Sequence, residues 1–178
     1  AGNIAEIMAK TINKMEGITA YAVASREKSR AMEFSNKYKF LKAYGDYEDM
    51  LKDSNIELVY IATPHSLHYE HVKMCIEYGK NVLCEKAFTV NSIQAMEILE
   101  SAKKKKVFVT EAIWTRYMPS RVMIHQLINS GCIGEVTSLT ANLCYSLSGK
   151  ERMEEPYLAG GALLDLGVYT INFALMCF

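Results

Sequence analysis

Residues Glu57-Leu58-Val59-Tyr60-Ile61-Ala62-Thr63-Pro64 decide how this chain folds. The run is almost continuously apolar, as expected of a strand covered on both faces in a parallel sheet. Thr63-Pro64 breaks it, and a helical pattern follows over about Leu67 to Tyr78, ended by Gly79. A second strand is expected at Asn81 to Cys84, a helix at Ser92 to Lys103, and a strand at Val107 to Thr110. Upstream, Ile4, Ile7, Met8 and Ile12 mark a helix to about Lys14. A strand follows at Ile18 to Ser25, then a helix at Glu27 to Tyr38. Ala43-Tyr44 gives a short strand and Tyr47 to Lys52 a short helix. Strands alternating with helices predict an α/β chain of the Rossmann type, a doubly wound parallel sheet.

After Glu111 the rhythm changes. Pro119 leads into a helix at Ser120 to Asn129, closed by Gly131. Glu135 to Ser146 alternates (Val136, Leu139, Ala141, Leu143, Tyr145) as an antiparallel strand with one covered face does. Gly160-Gly161 then opens an apolar helix to the end. We therefore expect a dinucleotide-binding domain over 1–113 and, over 114–178, the start of an α+β domain with a large, mostly antiparallel sheet. The central first strand of a Rossmann sheet would precede Ala1, so the sequence is expected to be a segment of a longer chain.

Composition narrows the function. The 178 residues are half hydrophobic and carry no net charge, with no basic stripe to suit nucleic acid. Lys103 to Lys106 is expected to be a solvated helix end. No apolar run looks as long as the ~18 residues of a membrane span, so no membrane partner is expected. Nor does any stretch resemble a signal peptide. Five scattered cysteines without a CxxC pair suit reduced thiols and a cytoplasmic protein. His65, His68 and His71 lie close together, but no His/Cys cluster has zinc spacing, and no metal is expected.

Two segments suggest a nucleotide. Ala1-Gly2-Asn3-Ile4-Ala5 matches the second half of a G-x-G-x-x-A loop, with Gly2 letting the backbone approach a pyrophosphate at the helix start. It is equally what any glycine-led helix start looks like. The strand ending Ala24-Ser25-Arg26 lacks the acidic residue that binds the ribose 2′-hydroxyl of NAD. Arg26 suits a 2′-phosphate and Ser25 can add a hydrogen bond, which favours NADP while leaving NAD possible.

Two further segments suggest proton chemistry. Cys84-Glu85-Lys86 brings a Glu-Lys pair to the carboxyl end of a strand, where ligands bind in open α/β sheets. Asp165 and Tyr169 are four apart on the apolar helix and share a face. A buried Asp needs a partner, and an ammonium near Tyr169 would lower its pKa toward the phenolate. Lys86, Asp165 and Tyr169 would then form a proton network. The competing reading makes Lys86 a solvated strand-end residue and Tyr169 a packing residue.

Taken together, Thr63-Pro64-His65-Ser66-Leu67-His68, Cys84-Glu85-Lys86, Glu111-Ala112-Ile113-Trp114-Thr115-Arg116-Tyr117 and Gly161 to Tyr169 resemble the Gfo/Idh/MocA oxidoreductases. The nearest branch is the one containing dimeric dihydrodiol dehydrogenase and glucose-fructose oxidoreductase. The resemblance covers the whole chain in order. It implies an NAD(P)-dependent enzyme acting on a sugar, polyol or diol, with a C-terminal sheet that often forms a homodimer or homotetramer. It also implies Tyr169 as acid/base, Lys86 as the lysine of the family's Glu-Lys-Pro motif, and Asp165 as their support. His68 matches a histidine near the nicotinamide, and Trp114 and Arg116 match residues lining the cofactor and substrate region. Thr63, Pro64, His65 and Glu85 belong to the same cofactor-facing blocks. Ala87 replaces the family's proline, so the Lys86–Ala87 peptide is either trans, with Lys86 displaced, or cis and held by its surroundings. Ala87 is also the one feature favouring the rival reading, a non-catalytic nucleotide-sensing or regulatory protein.

Overall fold

Short side chains at helix starts set the framework. The structure is a computed structural model that describes residues 2–147 and 149–178. In chain order it runs α1 (Asn3–Ile12), β1 (Ala22–Ala24), α2 (Lys28–Tyr38), β2 (Lys42–Tyr44), α3 (Tyr47–Leu51), β3 (Leu58–Ile61), α4 (His65–Glu77), β4 (Asn81–Cys84), α5 (Ser92–Lys105) and β5 (Val109–Glu111). A 3-10 turn (Trp114–Tyr117), α6 (Pro119–Asn129), α7 (Glu151–Glu154), a 3-10 turn (Pro156–Leu158), a π-helical turn (Leu163–Gly167) and α8 (Val168–Cys177) follow. The Asp46 carboxylate accepts the Asp49 N–H to cap α3, and the Asn91 side chain accepts the Gln94 N–H to cap α5. Lys106, at φ 56°, closes α5 in the left-handed region, and the preceding lysines lie in solvent as expected.

All strand pairs among the described residues are parallel, in two ladders: β1–β2, and β3–β4–β5. Packing rather than hydrogen bonding joins the ladders. Tyr21 and Ala22 lie against the core formed by Val59, Ile61, Val72, Ile76, Val82 and Ile98. Helices α4 and α5 cover β4, whose Val82 and Cys84 are fully buried. Register places Ile61, Cys84 and Glu111 side by side at the carboxyl ends of β3, β4 and β5. The residues that follow these three positions therefore converge on one edge. This is the expected α/β architecture of the Rossmann type.

Three expectations need correction. Glu135 to Ser146 forms no strand among the described residues. The alternation survives only as half-buried Leu139, Ala141 and Leu143 between exposed neighbours. A strand needs a hydrogen-bonding partner, and none pairs with this segment among the described residues. Second, Pro156–Cys177 is a 22-residue helical stretch containing an 18-residue window of mean hydropathy 1.4, long and apolar enough by composition to cross a membrane. The expectation that no run reaches that length was too strict. Asp165, however, lies within it, buried against two cations of the chain, which anchors this stretch to the protein. Third, β1 occupies only Ala22–Ala24, shorter than the sequence pattern suggests.

Candidate active site

The site is built where β4 ends. Cys84 is the last strand residue and is fully buried, which pushes its thiol pKa up and makes it a packing residue. Glu85 follows; its backbone N–H bonds the Ile61 carbonyl and its carboxylate accepts the Tyr60 hydroxyl. Next comes Lys86, whose peptide bond to Ala87 is cis. Below it, His68 is fully buried, with Nδ1 2.7 Å from the Ala87 carbonyl and Nε2 2.8 Å from the Thr63 carbonyl. Both ring nitrogens face backbone carbonyls. His68, expected near the nicotinamide, ties the Thr63-Pro64 turn to the Lys86–Ala87 segment at that edge.

The second wall comes from the far end of the chain. Gly160 admits the close approach its sequence suggests: a Cβ there would lie 2.8 Å from the Met153 carbonyl oxygen. Gly161, at φ 118°, turns the chain into the π-helical turn that carries Asp165. The Lys86 Nζ donates to the Asp165 carbonyl at 2.6 Å and to its Oδ1 at 2.8 Å. Asp165 Oδ1 also accepts from Arg152 Nη1 at 2.8 Å. Burial raises the Asp165 pKa, and the hydrogen bonds from Lys86 and Arg152 more than reverse this, leaving it below the ordinary value. Arg152 was not among the residues singled out from the sequence. It sits in the charged run Lys150 to Glu155, which has no spacing signal.

Tyr169 completes the cluster, one turn beyond Asp165. Its hydroxyl accepts the Trp114 indole N–H at 3.1 Å, and the two rings meet at 62°. Lys86 Nζ lies 5.1 Å from the centre of the Tyr169 ring, over its face. The expected drop toward the phenolate does not occur. Lys86 directs two of its donors to Asp165, and burial raises the Tyr169 pKa despite the opposing indole bond. Tyr169 is therefore a phenol at neutral pH, equipped to give up a proton.

Other residues border this cluster. His65, the first residue of α4, has Nδ1 3.5 Å from the Ala159 carbonyl, and burial lowers its pKa. Thr63 Oγ1 bonds His71 Nδ1 at 3.0 Å, and Pro64 caps α4. Glu111 accepts the Phe88 N–H at 2.9 Å, and burial raises its carboxyl pKa. Arg116 is exposed, and the Arg121 guanidinium donates to its carbonyl. An apolar cleft of about 500 Å³ lies beside Tyr169, walled by Trp114, Leu143, Tyr145 and Phe173.

The nucleotide half-motif opens α1. Ala1 falls outside the described residues. Gly2 caps α1 with extended backbone, and nothing lies within 4 Å of where its Cβ would be. The N–H groups of Asn3, Ile4 and Ala5 begin the helix without an intrahelical acceptor. Ser25 and Arg26 follow β1; Ser25 donates its N–H to the Tyr44 carbonyl, and Arg26 is exposed.

Two family profiles match the chain: an oxidoreductase family with an NAD-binding Rossmann fold over residues 1–113, and a GFO/IDH/MocA C-terminal domain over residues 122–178. The chain belongs to the GFO/IDH/MocA oxidoreductase family. Among relatives, D-xylose 1-dehydrogenase (NADP(+)) of Hypocrea jecorina is 45% identical over 166 residues, matching 85% of this chain and 42% of the relative. Trans-1,2-dihydrobenzene-1,2-diol dehydrogenase of Mus musculus is 41% identical over 157 residues, 88% of this chain and 47% of the relative. The chain therefore spans less than half the length of these two relatives. The structure is also similar to KijD10, a 3-ketoreductase of Actinomadura kijaniata solved with NADP and TDP-benzene. That match has a TM-score of 0.85 and 27% identity, and covers 97% of this chain and 54% of that one.

Proposed function

We propose that this GFO/IDH/MocA protein is an NADP-dependent oxidoreductase that moves hydride between nicotinamide and the carbinol carbon of a sugar, polyol or diol. The observation that carries the proposal is the joining of Lys86, from mid-chain, with Asp165 and Tyr169, from its last helical stretch, at the strand-end edge where α/β sheets bind ligands. The names of the relatives, a pentose dehydrogenase and a diol dehydrogenase, point to the same substrate class.

The residues present fit the cofactor. Gly2, Asn3 and Ile4 offer free N–H groups and open space for a pyrophosphate; Ser25 and Arg26 offer donors for a 2′-phosphate. Thr63, Pro64, His65, Glu85, Lys86, Trp114 and Arg116 border the edge the cofactor would share with substrate. When bound, NADP supplies the hydride acceptor or donor.

The chain supplies the proton chemistry. The Tyr169 hydroxyl gives its proton to a carbonyl oxygen in reduction and takes one from a hydroxyl in oxidation. Lys86 has three N–H donors, two of them spent on Asp165, which leaves the third to hold the substrate oxygen. Asp165 keeps Lys86 aimed. The same reading divides the chain into a nucleotide domain over 1–113 and the start of a substrate domain over 114–178. It also makes the protein cytoplasmic, acting as a homodimer or homotetramer. None of the five cysteines is disulfide-bonded, which suits a reducing compartment.

Titration of the full-length protein with NADPH and NADH, followed by Trp114 fluorescence, tests the reading. NADPH is expected to bind more tightly, and Arg26→Ala to weaken NADPH by roughly tenfold or more while leaving NADH nearly unchanged. Oxidation of sugars or diols with NADP⁺ should accompany binding. Binding without turnover of any such substrate would favour the regulatory alternative, and binding of neither nucleotide would sink both.

A further inference from the structure

Asp165 is shared. Its Oδ1 accepts from Lys86 and from Arg152, each at 2.8 Å, while the Asp165 side chain is only 7% exposed and Arg152 is 51% exposed. The second cation therefore reaches in from the surface on α7. The loop carrying α7 is seated against the site at one further point, where its Ala159 carbonyl faces His65, and it is tightly folded on itself, since Gly160 lets the Met153 carbonyl approach so closely that any side chain there would displace it. The guanidinium is thus delivered to Asp165 by a docked segment.

We propose that Arg152 is a positioning residue that keeps Asp165 ionised, so that Lys86 stays anchored and aimed at the substrate oxygen. The proposal rests on the reading of Lys86, Asp165 and Tyr169 as the proton-handling group. Its logic is electrostatic. Burial favours the neutral form of Asp165; Glu85 and Glu111 stand on the same edge, bonded to the Tyr60 hydroxyl and the Phe88 N–H, while burial raises the Tyr169 pKa and lowers that of His65. Lys86 and Arg152 are the opposing charges bonded to the carboxylate. Protonation would remove the negative charge from Asp165, so both cations would lose a charge-assisted bond and Lys86 would be held mainly by the Asp165 backbone carbonyl. Removing Arg152 takes away one of two charge-assisted bonds to the anion and brings that protonation nearer to neutral pH.

Arg152→Met keeps the aliphatic stem, and Arg152→Lys keeps the charge. In the full-length protein two quantities are measured for each: the pH profile of kcat, and the titration of the Asp165 carboxyl by carbon NMR, assigned with Asp165→Asn. In Arg152→Met the acid limb of kcat and the carboxyl titration are expected to move up together by about one pH unit, with kcat below the limb falling about tenfold. Arg152→Lys should restore most of both, and NADPH affinity should stay unchanged in either variant. An Asp165 titration that stays in place in Arg152→Met, or a kcat loss uniform across pH and not rescued by lysine, overturns the proposal. A wild-type protein that binds no NADP(H) would instead overturn the functional reading, and the carboxyl titration would still decide the role of Arg152.

Discussion

Tyr169 shows how far a single residue can be read from sequence and where the reading stops. Its four-residue spacing from Asp165 placed both on one face, and Lys86 at a strand end was a natural partner. The direction of its pKa was not legible. It depends on where the ammonium's hydrogens point, and they point to Asp165, while burial dominates at the phenol. The role of His68 was equally hidden, because two backbone carbonyls capture its ring. The raised phenol has a kinetic consequence. Reduction needs the protonated form and should be flat through neutral pH, falling only as the phenol ionises; oxidation needs the phenolate and should rise with pH. Trp114 donates to that oxygen and opposes the rise, so Trp114→Phe should move both limbs further up in pH by about half a unit to one unit. The pH profiles of the forward and reverse rates check this; limbs that stay in place would deny the indole bond any role.

Among the elements, helices were more legible than strands. Asp46 and Asn91 announce α3 and α5 by their capping chemistry, and Gly79 ends α4, all local signals. Strands depend on neighbours, so the alternation at Glu135 to Ser146 named a face without making a strand. Short β1 and β2 are instead held by a polar knot that no pattern reveals. The Asp53 carboxylate accepts from Tyr21, Lys42 and Tyr44, and the Lys80 ammonium bonds the Asp53 and Ile56 carbonyls. Lys42, Tyr44 and the Asn55 N–H hold the Asp53 carboxyl well below the usual carboxylate range. A carboxyl lowered by folding stabilises the fold above its unfolded pKa of about 4, and loses that effect as pH falls below it. Asp53→Asn should therefore lower the urea midpoint at pH 7 and narrow the gap to wild type on acidification toward pH 3. A gap independent of pH would show that the ion pair is not what the carboxylate contributes.

At the scale of the molecule, the order of strands and helices made the α/β class plain, and four blocks in sequence order pointed to the family. What could not be read was which distant residues meet. Lys86 and Asp165 are joined by a salt bridge that brings mid-chain and the last helical stretch onto one edge, and Arg152 enters it from a charged run with no periodicity. In the proposed function this division separates two tasks. The first half, with Gly2, Ser25 and Arg26, holds the nucleotide, while the proton group needs both halves. A change in the second half should then stop turnover and spare binding. Tyr169→Phe in the full-length protein is the most direct test, measuring NADPH affinity alongside kcat for sugar or diol oxidation. The account predicts unchanged NADPH affinity with kcat reduced roughly 10²–10⁴-fold. Full turnover in Tyr169→Phe would contradict it.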